Sequence, residues 1–425
     1  MTLQRKQLQI TRLGQRGEGV ARDETGPIYV PYALAGETVL AEVEGDRGQL
    51  VEILTPSPDR IAAFCPSYGI CGGCAVQTLT PAAYSAWKRG LVASALKHAG
   101  VAAEVGDLTD AHGAGRRRAT FHARFDKKGE AHVGFMKMRA HEVVTLDSCP
   151  ILSPQMAGAL PAARTIAATL HASRKPLDIL VTATLTGLDI DIKGHGPLTP
   201  TLVDALIGLA EAHDLARLSN HGLRVIERRA PILRMGKAEV SPPPGAFLQA
   251  TEAGEIALAG AVMAHFVGAR RVLDLFAGVG TFSLRLAEAA QIHAIDSDAA
   301  ALAALLKAAR ERPDLRPVTV ETRDLFRRPI VGTELAPYDA VVFDPPRAGA
   351  EAQARALASS ALPLVAAVSC NPASFARDIA LLTAGGYAIE SITPFDQFRH
   401  SPHVEIVGIL RRNVKKPRGG RRLLG

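Results

Sequence analysis

From Ala246 to about Leu410, short runs of Val, Ile and Leu alternate with helical patterns, and that regularity predicts a doubly wound α/β sheet. Seven strand segments stand out: RVLDLF, IHAID, VTVETRD, YDAVVFD, PLVAAVSC, YAIESI and VEIVGIL. Several are apolar almost throughout, as strands covered by helices on both faces must be. The last two are predicted to finish the sheet like a β-hairpin. Ligands of open α/β sheets lie beyond the carboxyl ends of the strands. The residues ending each strand therefore carry the functional reading.

The first strand runs into Asp274-Leu275-Phe276-Ala277-Gly278-Val279-Gly280-Thr281-Phe282. Gly278 and Gly280 let a backbone approach a nucleoside closely. A dinucleotide-binding G-x-G-x-x-G loop is one reading, but Ser283 stands where its third glycine belongs. The pattern D-x-F-x-G-x-G has the style of a methyltransferase loop instead. Asp296 ends the second strand, where a carboxylate accepts hydrogen bonds from both ribose hydroxyls, and Asp324 ends the third. Either acid alone is as readily a helix N-cap. Two in register after successive strands favour a ligand.

The fourth strand ends in Asp344-Pro345-Pro346-Arg347, and in nucleic-acid methyltransferases such an acid or amide before Pro-Pro lies beside the target base. The fifth ends in Ser369-Cys370-Asn371-Pro372, with a helix predicted to begin near Ala373. A helix N-terminus is a positive field, so the Cys370 thiol is expected to have a lowered pKa. A thiolate is what methylation of uracil C5 requires. Added to C6, it turns the poorly nucleophilic ring into an enolate with electron density on C5. A base must afterwards remove the C5 proton. Glu405, at the head of the last strand, is the candidate, with His400 and His403 as possible substitutes.

Five cysteines in a chain of this kind do not form a disulfide framework. Cys65, Cys71 and Cys74 stand close as C-x5-C-x2-C, Cys149 follows much later, and Cys370 stands apart, so the division is four plus one. Four thiolates suit zinc or an iron–sulfur cluster equally. The C-x3-C-x2-C triad of radical S-adenosylmethionine enzymes is absent.

Ahead of the α/β part, residues 1–58 alternate polar and apolar between turn signals, which predicts a small OB-like β-barrel. Residues 59–245 read as a central α+β domain, bounded by TPSPDR on one side and SPPPG on the other. Residues 246–411 are the α/β domain, and 412–425 a basic tail.

Of 425 residues, 49 are Lys or Arg and 42 Asp or Glu, giving a net charge of +7. Seven bases and no acid lie between Arg411 and Gly425, so the tail holds the excess and the body is neutral. Such a tail is either a solvated end or a phosphate-binding arm. Arg116-Arg117-Arg118 is a second cluster, expected on an RNA-facing strand. No run approaches the roughly 18 apolar residues that span a bilayer, and MTLQRKQLQITRL lacks a secretory pattern. A cytoplasmic, monomeric protein without membrane contact is expected.

With these motifs in order, the chain resembles the RumA/TrmA family of RNA 5-methyluridine methyltransferases over nearly its whole length. DLFAGVGTF looks like the family's cofactor loop, DPPRAG its fourth-strand motif, SCNPASFARD its nucleophile motif and HVE its general-base motif. The resemblance implies a class I, Rossmann-like methyltransferase domain using S-adenosyl-L-methionine. Cys370 would be the nucleophile and Glu405 the proton acceptor. Gln249 in AFLQAT, Phe276, Thr281, Asp296, Asp324 and Asp344 would contact the cofactor or line its pocket. Ala277 and Thr281 depart from the family pattern of Cys and Asn at those places.

The other four cysteines, Cys65, Cys71, Cys74 and Cys149, match the branch in which a [4Fe-4S] cluster is held. The N-terminal barrel looks like a TRAM domain, an RNA-binding module. Together they point to ribosomal RNA, 23S in particular, before tRNA, and to a flipped-out uridine as target. Two rival classes fit the same residues: an exocyclic-amine methyltransferase using Asp344 without a thiolate, and a non-catalytic RNA-binding factor.

Overall fold

The computed structural model describes residues 3–138, 140 and 142–412. Most of the basic tail, including Lys415, Lys416, Arg418, Arg421 and Arg422, lies outside the described residues.

The carboxyl-terminal sheet is built from β1 (Arg271–Leu275), β2 (Gln291–Asp296), β3 (Val318–Thr322), β4 (Ala340–Phe343), β5 (Leu364–Ser369), β6 (Tyr387–Asp396) and β7 (Glu405–Arg412). Their order is β3-β2-β1-β4-β5-β7-β6. β1 to β5 run parallel, while β7 inserts antiparallel between β5 and β6. A two-residue strand, Thr109–Asp110, extends the β6 edge. The order reverses between β1 and β4, which opens a crevice at their carboxyl ends.

Four helices matter for the site: α1 (Pro81–His98), α2 (Glu252–His265), α3 (Ala299–Arg310) and α4 (Pro372–Ala384). Alternate strand residues serve the two faces. Leu273, Val341, Phe343 and Val365 pack with Val92 and Leu96 of α1 and with Phe375 and Ile379 of α4. Val272, Ala294, Val342 and Ala366 pack with Leu258 and Val262 of α2 and Leu305 of α3. Each Val, Leu, Ile or Phe among them, fully buried, stabilises the fold by about 1.5–3 kcal/mol, and the alanines by less.

Residues 4–55 form a six-stranded sheet. Strand Gln4–Gln9 leads directly into Arg12–Leu13, and these two stand at opposite ends of the strand order. The sheet curls round Ile10, Ile28, Val30, Val39 and Ala41. Residues 118–227 contribute a seven-stranded, mostly antiparallel sheet, with helices Ala159–Thr169 and Pro200–Ala212 packed on its core.

The cores divide the chain differently from the boundaries expected at 58 and 245. Val92, Leu96, Val101 and Val105 belong to the core of the carboxyl-terminal sheet. Leu233, Met235, Ala238 and Val240 pack against Ala301 and Ala308 of α3. Proline-rich punctuation marks turns, whereas membership of a core is decided by packing partners far away in sequence. Among the described residues no helix is long and apolar enough to cross a membrane.

Candidate active site

β1 ends in Leu275, and Phe276 follows with φ of 62°, a left-handed conformation that is costly for an aromatic residue. It turns the chain out of the sheet and sets its ring 5.4 Å from that of Phe326. The two glycines serve different needs. Gly278, φ 53°, has open space where a Cβ would stand, as a loop facing a ligand requires. At Gly280, φ 101°, a Cβ would meet Leu305 at 2.9 Å, so close helix packing excludes any side chain. Ser283, in place of a third glycine, donates from Oγ to the buried Asp274 at 2.6 Å and ties the loop to its strand.

The two acids ending β2 and β3 differ in how they are engaged. Asp298, not Asp296, caps α3, accepting from the N–H groups of Ala300 and Ala301. Asp296 accepts from Gly278 N–H and Asp298 N–H, each at 2.9 Å, and so holds the glycine loop. Asp324 accepts from the N–H groups of Phe326 and Arg327, a turn-capping role. Both acids line one cavity.

That cavity, about 490 Å³, lies across the carboxyl ends of β1, β2, β4 and β5. Gln249, Phe276, Asp296, Asp324, Asp344, Cys370 and Glu405 all reach its wall. Thr281 does not line it; its carbonyl accepts from Arg285 Nη1. Residues not singled out from the sequence share the wall, among them Phe247, Phe326, Arg347 and Phe398. His403 lines it as well, whereas His400 does not.

A chain of amides joins the two carboxyls of the cavity. Gln249 Nε2 donates to Asp344 at 3.1 Å. Gln397 Nε2 donates to Gln249 Oε1 at 2.6 Å and to Glu405 at 3.1 Å. Burial pushes Asp344 up to about 7. Burial, and then the nearby Asp344, push Glu405 up to about 8. Burial with some help from Asp344 also raises Asp274 to about 7.

Cys370 reverses an expectation. It does precede α4, whose N-cap Asn371 accepts from Ala373 N–H. Its thiol is nevertheless pushed up to about 11, first by burial, then by Glu405 and Asp344, with Arg347 and a backbone hydrogen bond opposing. Desolvation and two carboxyls outweigh the helix end. Both histidines are pushed down to about 4, chiefly by burial and then by a neighbouring arginine, Arg399 for His400 and Arg347 for His403. Neutral His403 accepts from Arg347 Nη2 at 3.1 Å.

Away from this cavity, Cys65, Cys71, Cys74 and Cys149 line a second one of about 320 Å³. Burial raises the Cys71 and Cys74 thiols and pushes Cys149 up to about 11, each helped by neighbouring cysteines. Among the described residues no group of three or more ligating side chains is drawn to metal-holding distances. The arginine cluster splits. The Arg116 guanidinium stacks on Phe398 at 5.1 Å, Arg117 is bonded to buried Glu255, and Arg118 lines a further groove of about 590 Å³ with Phe247 and Phe398.

A parallel sheet with an antiparallel seventh strand, a glycine loop after β1, and acid-ended strands around one cavity define a class I, Rossmann-like methyltransferase. Comparison with known proteins narrows the class. The family described as tRNA (Uracil-5-)-methyltransferase matches residues 246–413. An RNA methyltransferase of Rhizobium meliloti is 46% identical, over 94% of this chain and 98% of its own. The 23S rRNA (uracil(1939)-C(5))-methyltransferase of Chromohalobacter salexigens is 34% identical, over 97% and 90%. The crystal structure of Pyrococcus abyssi tRNA (uracil-54, C5)-methyltransferase with S-adenosyl-L-homocysteine shares the fold. It superposes with a TM-score of 0.71 at 21% identity, over 95% of this chain and 99% of that one. The chain belongs to the RNA (uracil-5-)-methyltransferase family.

Proposed function

We propose that this protein transfers a methyl group from S-adenosyl-L-methionine to C5 of a uridine in 23S ribosomal RNA, through a transient bond between Cys370 Sγ and uracil C6. The observation carrying the proposal is that Cys370, Asp344 and Glu405 share one cavity with the glycine loop. The name of the Chromohalobacter relative and the four-cysteine pattern favour ribosomal RNA over tRNA.

The cofactor supplies a methyl group on a sulfonium, an electrophile that also brings positive charge to a cavity holding three raised acidic groups. Cys370 loses its proton to solvent and its thiolate adds to C6. Electron density moves to C5 and O4. C5 then takes the methyl carbon, breaking its bond to the sulfonium sulfur and leaving neutral S-adenosylhomocysteine. The Glu405 carboxylate removes the C5 proton, the enolate re-forms the C5–C6 double bond, and the Cys370 thiolate leaves. Asp344, held by Gln249, faces the uracil edge or the donor.

A [4Fe-4S] cluster fits the second cavity on the chemistry of its donors. Three thiols raised chiefly by burial, Cys71, Cys74 and Cys149, stand with Cys65 on one cavity wall, and a cationic cluster that accepts all four as thiolates matches that set of donors. Cys65, Cys71, Cys74 and Cys149 would hold it, and its contribution there is to tie the cysteine loop to the segment around Cys149. The curled N-terminal sheet is the candidate TRAM domain and, with the groove beside Arg118, a surface for RNA.

Mapping 5-methyluridine in ribosomal and transfer RNA from cells lacking the protein tests this. Loss at a 23S site is expected, loss in tRNA instead would reassign the substrate, and no loss at all would contradict the proposal.

A further inference from the structure

Lys88 of α1 is completely buried, and nothing in the reaction above uses it. Its ammonium donates to Asp396 Oδ1 at 2.8 Å, to the Phe398 carbonyl at 3.4 Å and to the His403 carbonyl. Three donors thus meet three acceptors, all on one segment that runs from the last residue of β6 towards β7. One helical turn before Lys88, Tyr84 donates to the other oxygen of Asp396 at 2.7 Å and accepts from His400 N–H at 2.9 Å. Both α1 side chains grip the same loop.

That loop carries much of the site. Gln397 bonds both Gln249 and Glu405, and Phe398 and His403 line the cavity. Glu405 follows two residues after His403 as the first residue of β7. A buried ion pair is poor evidence of stabilisation, since a well-packed apolar pair of similar volume is often as stable. An apolar pair, however, cannot hold two carbonyls and a carboxylate in fixed relation.

Resting on the reaction proposed above, we infer that Lys88 is a positioning residue: by stapling the Asp396–His403 loop it sets the Gln397–Glu405 hydrogen bond, and with it the carboxylate that takes the C5 proton. Its removal therefore impairs release of the methylated adduct more than binding of the cofactor. The link reaches the N-terminal sheet, because Trp87, the neighbour of Lys88, donates from Nε1 to the Gly14 carbonyl at 3.1 Å.

The test compares wild type with Lys88→Met, Lys88→Met/Asp396→Asn and Lys88→Arg in the full chain. The double variant leaves no buried charge unpaired. It is expected to fold and to bind S-adenosylhomocysteine within a few-fold of wild type. Its kcat should fall on the order of 100-fold, as misplacement of about 1 Å allows, with KM for RNA little changed. Given ordinary uridine RNA and cofactor, it should accumulate a denaturation-resistant protein–RNA adduct. Lys88→Arg should recover part of the turnover. Wild-type turnover in the double variant overturns the inference. So does parallel loss of cofactor affinity and activity without an adduct, or failure of all three variants to fold. If wild type itself forms no adduct with 5-fluorouridine RNA, the reaction fails first and the inference with it.

Discussion

At the scale of single residues, the cavity is short of positive charge. Asp344 and Glu405, raised to about 7 and about 8, and Cys370, raised to about 11, share its wall; Lys88 and then Arg347 oppose the shift of Glu405, and Arg347 that of Cys370. A sulfonium entering this site is the missing counter-charge, and it favours the ionised form of all three. The sign follows. As pH rises through the Asp344 and Glu405 values, the free cavity becomes more negative and attracts a cation more strongly. The Kd of S-adenosylmethionine should therefore fall between about pH 6 and about pH 9, while that of uncharged-sulfur S-adenosylhomocysteine falls less. Calorimetry of both ligands across that range checks it, and parallel curves would contradict it. Cys370 shows why its ionisation was not legible in sequence: a helix start is visible in Asn371-Pro372, but the two carboxyls come from β4 and β7.

At the scale of elements, the glycine loop separates ligand approach from packing. Gly280→Ala forces a Cβ against Leu305 in a left-handed backbone and should destabilise the fold by about 2–4 kcal/mol, measured by urea denaturation. Gly278→Ala meets no atom; it should cost about 1 kcal/mol of strain and chiefly raise the Kd of the cofactor. Equal stability losses would refute the division. Strands β1 to β7 were legible because Val, Ile and Leu recur in short runs between helical patterns, near-continuously in β4 and β5 and by alternation in β3. Motif spacing brought Asp296, Asp324, Asp344, Cys370 and Glu405 to one wall. Thr281 is not on that wall, and the two left-handed glycines before it bend the loop in a way that no periodicity records. Lys88 and Gln397 escaped notice since nothing in their neighbourhoods announces their partners, Asp396 308 residues from Lys88 and Gln249 148 from Gln397.

At the scale of the whole molecule, three sheets meet around α1 and the Asp396–His403 loop. The cysteine loop joins them there: the His400 carbonyl accepts from Ala75 N–H at 2.7 Å and Val76 N–H at 3.2 Å. Arg116 lies between, lining the thiol cavity and stacking on Phe398. Sequence spacing grouped the four thiols, and packing then put Arg116 beside them, where it had been expected on an RNA-facing strand. Protein purified without oxygen should contain about four iron and four sulfide per chain, falling sharply in Cys149→Ser. Zinc in place of iron, or neither metal, would contradict the cluster.

The central claim is a bond between Cys370 and a pyrimidine. Wild type incubated with cofactor and 5-fluorouridine RNA should run as a slow band on a denaturing gel, because fluorine in place of the C5 proton blocks release. Cys370→Ala should give no band, and Glu405→Gln should give one even with ordinary uridine. Methyl transfer by Cys370→Ala, or a wild type that never forms the band, would contradict the account.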